Sequence, residues 1–246
     1  MEVLVVGNTA YVDDDFCAKA FPGDHVQVVA AADTRRDESS PHASWKELLQ
    51  HLDQAYEFER VVYLSNYLTP HTDTVGDIEL LRTVFRACMG RRIQLLYIAG
   101  PAGAEGAPDA AGRTGKGIIA RAANDLCRYY AAREGVQTKI LRVPFLYTAS
   151  AALEDPFLVP LFDAGSTGSV ALQGARDAAF PLLCAEELAV LVRRIFDSWD
   201  GNFETLDVAD TFHHTAGEVG DALKALFPGL AVAYGDSAGY ALPASD

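Results

Sequence analysis

The chain opens on Val3-Leu4-Val5-Val6, an unbroken aliphatic run that stops at Gly7. No polar residue alternates with the apolar ones, so a strand built from them must be covered on both faces. Such a strand belongs in a parallel sheet wrapped by helices. The same signal recurs: strands are predicted over residues 3–6, 25–31, 61–64, 93–98 and 138–143, the last stopped by Pro144. Between them, helical spacing predicts helices over 13–20, 44–56, 77–89 and 118–133. Pro22-Gly23, Gly90 and Gly135 close three of these helices, and Ser44 caps the one whose apolar positions are Trp45, Leu48, Leu49 and Leu52. This alternation gives an α/β fold with helices on both faces of the sheet.

After residue 150 the pattern changes. Residues 158–163 are a short apolar piece, and 165–174, rich in Gly, Ser and Thr, read as a loop or hairpin. A helix over 186–199 and a strand over 203–208 follow, then Thr215 and Glu218 form a capping box ahead of a helix over 219–227. Residues 235–246 are a small, polar tail. A chain of 246 residues, half of them hydrophobic, buries one substantial core. Its net charge of −14 argues against nucleic acid or an anionic membrane as the main partner, since phosphates would be repelled. Cys17, Cys88, Cys127 and Cys184 are far apart and lie in helical or apolar surroundings, so they read as free thiols. With no signal-like start and no stretch of membrane-spanning length, the cytoplasm is the expected location.

Several segments carry a resemblance in their order and spacing. Val5-Val6-Gly7-Asn8-Thr9-Ala10-Tyr11-Val12-Asp13 is similar to an opening phosphate loop, and Val61-Val62-Tyr63-Leu64-Ser65 and Leu95-Leu96-Tyr97-Ile98-Ala99-Gly100 to two inner strands. Ile140-Leu141-Arg142-Val143-Pro144 resembles a strand end written I-L-R-P, and Ala179-Phe180-Pro181-Leu182-Leu183-Cys184 resembles R-D-F-V-H-V. Leu206-Asp207-Val208 with Thr215 and Glu218 matches a stretch of the substrate lobe. Together, over residues 2–234, the chain resembles the extended short-chain dehydrogenase/reductase family, the NAD-dependent sugar epimerases and dehydratases. The resemblance implies a Rossmann-like doubly wound parallel sheet with a small, shortened C-terminal substrate-type lobe. Residues 1–150 would be the nucleotide-binding-type part, and 151–246 would be interleaved with it. It also implies cofactor contacts from Gly7, Thr9, Asp33, Arg35 and Ser65, with Arg36 beside Arg35 facing a 2′-phosphate. A solvated loop is the other reading of Asp33, Arg35 and Arg36.

The chain departs from that pattern where the chemistry lies. Ala10 and Asp13 replace two loop glycines, and Asp13, Asp14 and Asp15 crowd the helix start that would meet a diphosphate. They either cap the helix or repel the ligand. The resemblance implies a catalytic Tyr with a Lys four residues on; its alignment places Lys116 and Ala120 there, and no Tyr in the chain has a Lys at that spacing. The serine region reads Ala99-Gly100-Pro101-Ala102. No catalytic residue is therefore expected, and NAD(P) binding is expected to be weak or absent. The expected role is noncatalytic: a ligand-sensing or protein-interaction domain. The alternative is an atypical NAD(P)-dependent oxidoreductase or epimerase acting on a nucleotide sugar or related small molecule, with Lys116 or a nearby Tyr as substitute acid.

Asn66, Tyr67, Thr69, His71, Arg142 and Tyr147 fall near the strand ends where α/β folds bind ligands, so a small polar ligand is a candidate partner. His213-His214 near Asp210 read as a solvated loop, and no metal site is expected. Ile78, Leu81, Val84 and Phe85 on one helix, and Ile118, Ile119, Ala122, Ala123, Leu126 and Tyr130 on another, recur at helical spacing; one stripe of each must cover the sheet, and what stays exposed would serve a homodimer or a partner domain. A polar outer side carrying Arg82, Arg86, Arg121, Asp125 and Arg128 is the competing reading.

Overall fold

The structure, a computed structural model, describes residues 1–7, 11–30, 58–65, 74–100, 115–148, 167–172, 175–179, 182–208 and 214–235. Its strands are β1 (Glu2–Gly7), β2 (His25–Ala30), β3 (Arg60–Leu64), β4 (Gln94–Ala99), β5 (Gln137–Arg142), β6 (Phe145–Tyr147), β7 (Ser169–Leu172), β8 (Leu182–Cys184), β9 (Phe203–Asp207) and β10 (Ala231–Tyr234). The helices are α1 (Asp14–Ala20), α2 (Thr74–Cys88), α3 (Gly115–Glu134), α4 (Ala185–Asp197) and α5 (Ala216–Leu226).

The main sheet has six strands in the order β2-β1-β3-β4-β5-β9, every pair parallel. The fold is the doubly wound α/β architecture read from the sequence. Alternate residues of each strand enter separate cores. Leu4, Val6, Tyr63, Tyr97 and Ile140 pack under α2 and α3 against Leu81, Phe85, Cys127 and Tyr130. Val3, Val5, Val62, Leu96, Ile98 and Leu141 pack under α1 and α4 against Phe16, Leu188, Val192 and Phe196. Phe85 stacks on Tyr130 at 4.5 Å, which locks α2 to α3. Each such large apolar side chain contributes roughly 1.5–3 kcal/mol on full burial. The Tyr63 hydroxyl donates to the Asp77 carboxylate, tying β3 to the first turn of α2.

β9 enters the sheet beside β5 from late in the chain. Lys139 of β5 is buried at that seam. Its ammonium donates to Glu204 at 2.6 Å and Asp200 at 3.1 Å and lies 5.3 Å from the Trp199 ring centre. Burial pulls the Lys139 pKa down, but the bonds to Glu204 and Asp200 outweigh it and hold the group above its ordinary value.

Two short two-stranded sheets lie outside the main one. β6 pairs with β8, and β7 with β10, both in parallel. Leu172, Leu223 and Leu230 form the core between β7, β10 and α5. The predicted capping box opens α5: the Thr215 amide donates to Glu218 Oε2 at 2.8 Å and the Glu218 amide to Thr215 Oγ1 at 3.1 Å. The loop or hairpin expected over 165–174 is corrected here. Ser169–Leu172 is a strand, and its partner is the parallel Ala231–Tyr234. The helix expected over 44–56 lies outside the described residues.

Gly7 is the tightest point of the sheet. Its φ is +109°, and a Cβ there would collide with the carbonyl oxygen of Leu64, its register partner on β3. Gly135, with φ +68°, faces open space. Gly7→Ala is expected to lower the unfolding free energy by about 3 kcal/mol or more, whereas Gly135→Ala costs about 1–2 kcal/mol for backbone strain alone. Urea unfolding midpoints at unchanged slope check both values.

Candidate functional site

The chain visits β1, goes out to β2, then crosses back to β3 on the other side of β1. The carboxyl ends of β1 and β3 therefore border the crevice where the strand order reverses, which is where open α/β sheets bind ligands. Gly7 ends β1 there and Ser65 follows β3 beside it. The Ser65 amide donates to the Ile98 carbonyl at 3.0 Å. Its hydroxyl is fully buried and meets no hydrogen-bond partner among the described residues. Thr9, Asp33 and Arg35, the other expected cofactor contacts, lie outside the described residues, as do Arg36, Asn66, Tyr67, Thr69 and His71.

α1 starts at this edge. Asp13 is its N-cap: the Phe16 amide donates to Asp13 Oδ1 at 2.8 Å. Asp14 and Asp15 occupy the first turn, both exposed. The end of a helix that attracts anions is thus met by the chain's own carboxylates. A diphosphate here would compete with Asp13 for the Phe16 amide and sit beside exposed Asp14, while Lys19 pairs Asp15 at 2.6 Å, so these described residues suit that group poorly.

Further along the edge, Ala99 ends β4, buried, with no hydroxyl to offer. In α3, Lys116 lies in the first turn and Ala120 is buried one turn later. Arg142 ends β5 and its guanidinium grips Asp207, the last residue of β9, through Nε and Nη2 at 2.6 Å each. The two are register partners. This fork neutralises the arginine that the sequence places near the edge. Tyr147 and Cys184 are register partners at the ends of β6 and β8. The Cys184 thiol donates to Glu186 Oε2 at 2.6 Å. Burial pushes the Cys184 thiol up, and the bond to Glu186 adds to it. Burial also pushes the Tyr147 phenol up, with the charges of Cys184 and Glu187 acting the same way. Both shifts favour the protonated forms of this pair.

Sequence reading missed the Arg142–Asp207 fork and the Tyr147–Cys184 pair, since each joins residues far apart in the chain. The available signal was position: each residue closes a short strand. Elsewhere, an open groove of about 370 Å³ runs along Arg176, Asp177, Thr215, Gly217, Glu218 and Asp221, where Arg176 is neutralised by Asp221 at 2.7 Å. Among the described residues no group of three or more His, Cys, Asp or Glu could hold a metal ion. No helix among them is long and apolar enough to cross a membrane.

No family model matches the chain, and no curated protein matches it by sequence. Solved structures do. The UDP-N-acetylglucosamine 4-epimerase of Bacillus cereus superposes with a TM-score of 0.69 at 14% identity, over 97% of this chain and 86% of that one. DesIV, the dTDP-glucose 4,6-dehydratase of Streptomyces venezuelae with NAD bound, gives 0.70 at 12% identity, over 98% and 88%. A GalE-like L-threonine dehydrogenase from Cupriavidus necator gives 0.65 at 17% identity, over 96% and 86%. The fold is therefore that of the extended short-chain dehydrogenase/reductase proteins, as the sequence resemblance implied. An epimerase, a dehydratase and an amino-acid dehydrogenase share it, so the fold alone fixes no reaction.

Two outcomes follow from this geometry. Asp13→Ala removes the α1 cap and is expected to cost about 1 kcal/mol of stability in urea unfolding. The four thiols should react slowly with an aromatic disulfide reagent at pH 8 in the folded state and fully in denaturant. Burial holds Cys88 up at about 12 and Cys127 higher still, while Cys17 and Cys184 are also raised by burial.

Proposed function

We propose that this chain uses the epimerase/dehydratase fold as a noncatalytic binding domain, sensing a small molecule or contacting another protein. The Asp13 cap carries the reading, because the chain's own carboxylate already takes the Phe16 amide and places negative charge at the start of α1. The buried Ala120 and Ala99 support it, since neither can move a proton. The Ser65 hydroxyl, which meets no partner among the described residues, supports a small polar ligand at the crevice. Gly7 does not weigh for a cofactor, because the crowding by Leu64 requires glycine whether or not a nucleotide binds. The protein-contact part of the reading places a second copy or a partner domain on α2 and α3.

A thermal-shift series with NAD(H), NADP(H) and nucleotide sugars tests this. A ligand at a hundred times its dissociation constant stabilises a protein by about 2.7 kcal/mol. The dinucleotides are expected to give no shift at near-millimolar concentration, and no hydride transfer should be seen with any nucleotide sugar. Micromolar NAD(P) binding, with turnover that Lys116→Ala abolishes, would overturn the proposal in favour of an atypical oxidoreductase.

A further inference from the structure

The apolar stripes of α2 and α3 lie against the sheet: Leu81, Val84, Phe85, Ala123, Cys127 and Tyr130 are all buried in one core. The outward face is different in kind. Arg82 and Arg86 stand one turn apart on α2, and Arg121 and Arg128 stand two turns apart on α3, all exposed. Arg91 and Arg92 follow α2, and Arg133 ends α3, exposed too. Only Glu79, Asp125 and Glu134 oppose them among the solvent-facing acids of these helices. Arg82, Arg86, Arg91 and Arg92 form no ion pair among the described residues. Three large apolar groups on the same two helices or just past them are also exposed: Met89 is 38% exposed, Ile118 53% and Tyr129 52%, the last edge-on to buried Tyr130 at 5.4 Å.

This basic and apolar face belongs to a protein of net charge −14, so the rest of the surface is more acidic than the total suggests. We propose that the α2–α3 face docks an acidic protein segment, with Arg82 and Arg86 meeting its carboxylates and Met89 and Tyr129 its apolar side chains. A second copy bound through the same face is disfavoured, since a two-fold contact sets each patch against itself and brings arginine rows together. Nucleic acid is disfavoured because the acidic remainder would repel a long phosphate backbone, whereas a short acidic segment can be confined to the patch. The inference rests on the protein-contact part of the proposed function and names the partner's chemistry.

The test uses the whole chain with labelled poly-L-glutamate, followed by fluorescence anisotropy at low salt, and sedimentation of the chain alone. Saturable binding is expected, weakened about tenfold or more by Arg82→Glu with Arg86→Glu and weakened by added salt. The double change Arg193→Glu with Arg194→Glu, on exposed α4 positions of the opposite layer, should leave it unchanged. Absence of binding, or equal loss from both double variants, would overturn the proposal. Tighter binding to a single-stranded oligonucleotide than to poly-L-glutamate would overturn it in favour of nucleic acid. A dimer that Arg82→Glu with Arg86→Glu dissociates would overturn it while leaving the protein-contact reading of the function intact. The thermal-shift series tests the ligand reading separately.

Discussion

The contact between Gly7 and the Leu64 carbonyl governs this structure. β1 hydrogen-bonds to β2 on one side and β3 on the other, and its last residue must leave the sheet while β3 presses against it. A backbone with φ +109° and no side chain meets both demands. That exit leads to α1, which packs on one face, while α2, which follows β3, packs on the other. The crevice, Ser65 and the start of α1 all take their positions from it. The sheet by itself is enough to require glycine at this position.

Much of this was legible in the sequence, for a physical reason. β1, β3 and β4 are central, so they are apolar on both faces and read as uninterrupted runs. Val61-Val62-Tyr63-Leu64 needs no partner to be recognised. The Thr215–Glu218 box was legible because its two hydrogen bonds span three residues. β7 and β10 were not legible as a pair. Each has four residues, exposed and half-buried by turns, and the partner lies far along the chain. Parallel pairing leaves no turn signature between the strands, so Ser169–Leu172 reads locally as a loop. The candidate site divides the same way. Asp13 at a helix start announces two opposed roles, and only the 2.8 Å bond from the Phe16 amide shows the cap. Arg142 and Asp207 are sixty-five residues apart, and nothing short of the β5–β9 register brings them together.

The two helical layers carry different chemistry on one scaffold. α1 and α4 open with carboxylates, Asp14 and Asp15 on one and Glu186 and Glu187 on the other. α2 and α3 turn arginines outward. Neither choice affects the core, because each helix fixes its orientation through its buried stripe and leaves the outer side free to vary. The fold is held by packing and its surface is set by charge.

Lys139 has a consequence for how the chain is made. β5 is synthesised long before β9, its neighbour in the finished sheet; Glu204, which takes the Lys139 proton bond, comes sixty-five residues later. Throughout that interval β5 is an unprotected edge, with apolar Ile140 and Leu141 and a row of backbone groups open to any other strand. A lysine in the middle of that edge makes pairing with a stray chain costly, because its charge would be stripped of water with nothing to neutralise it. The chain's own β9 removes the cost by bringing Asp200 and Glu204 with it. Burying that ammonium is therefore costly against any strand but its own, and it becomes an ordinary structural ion pair once β9 is in place.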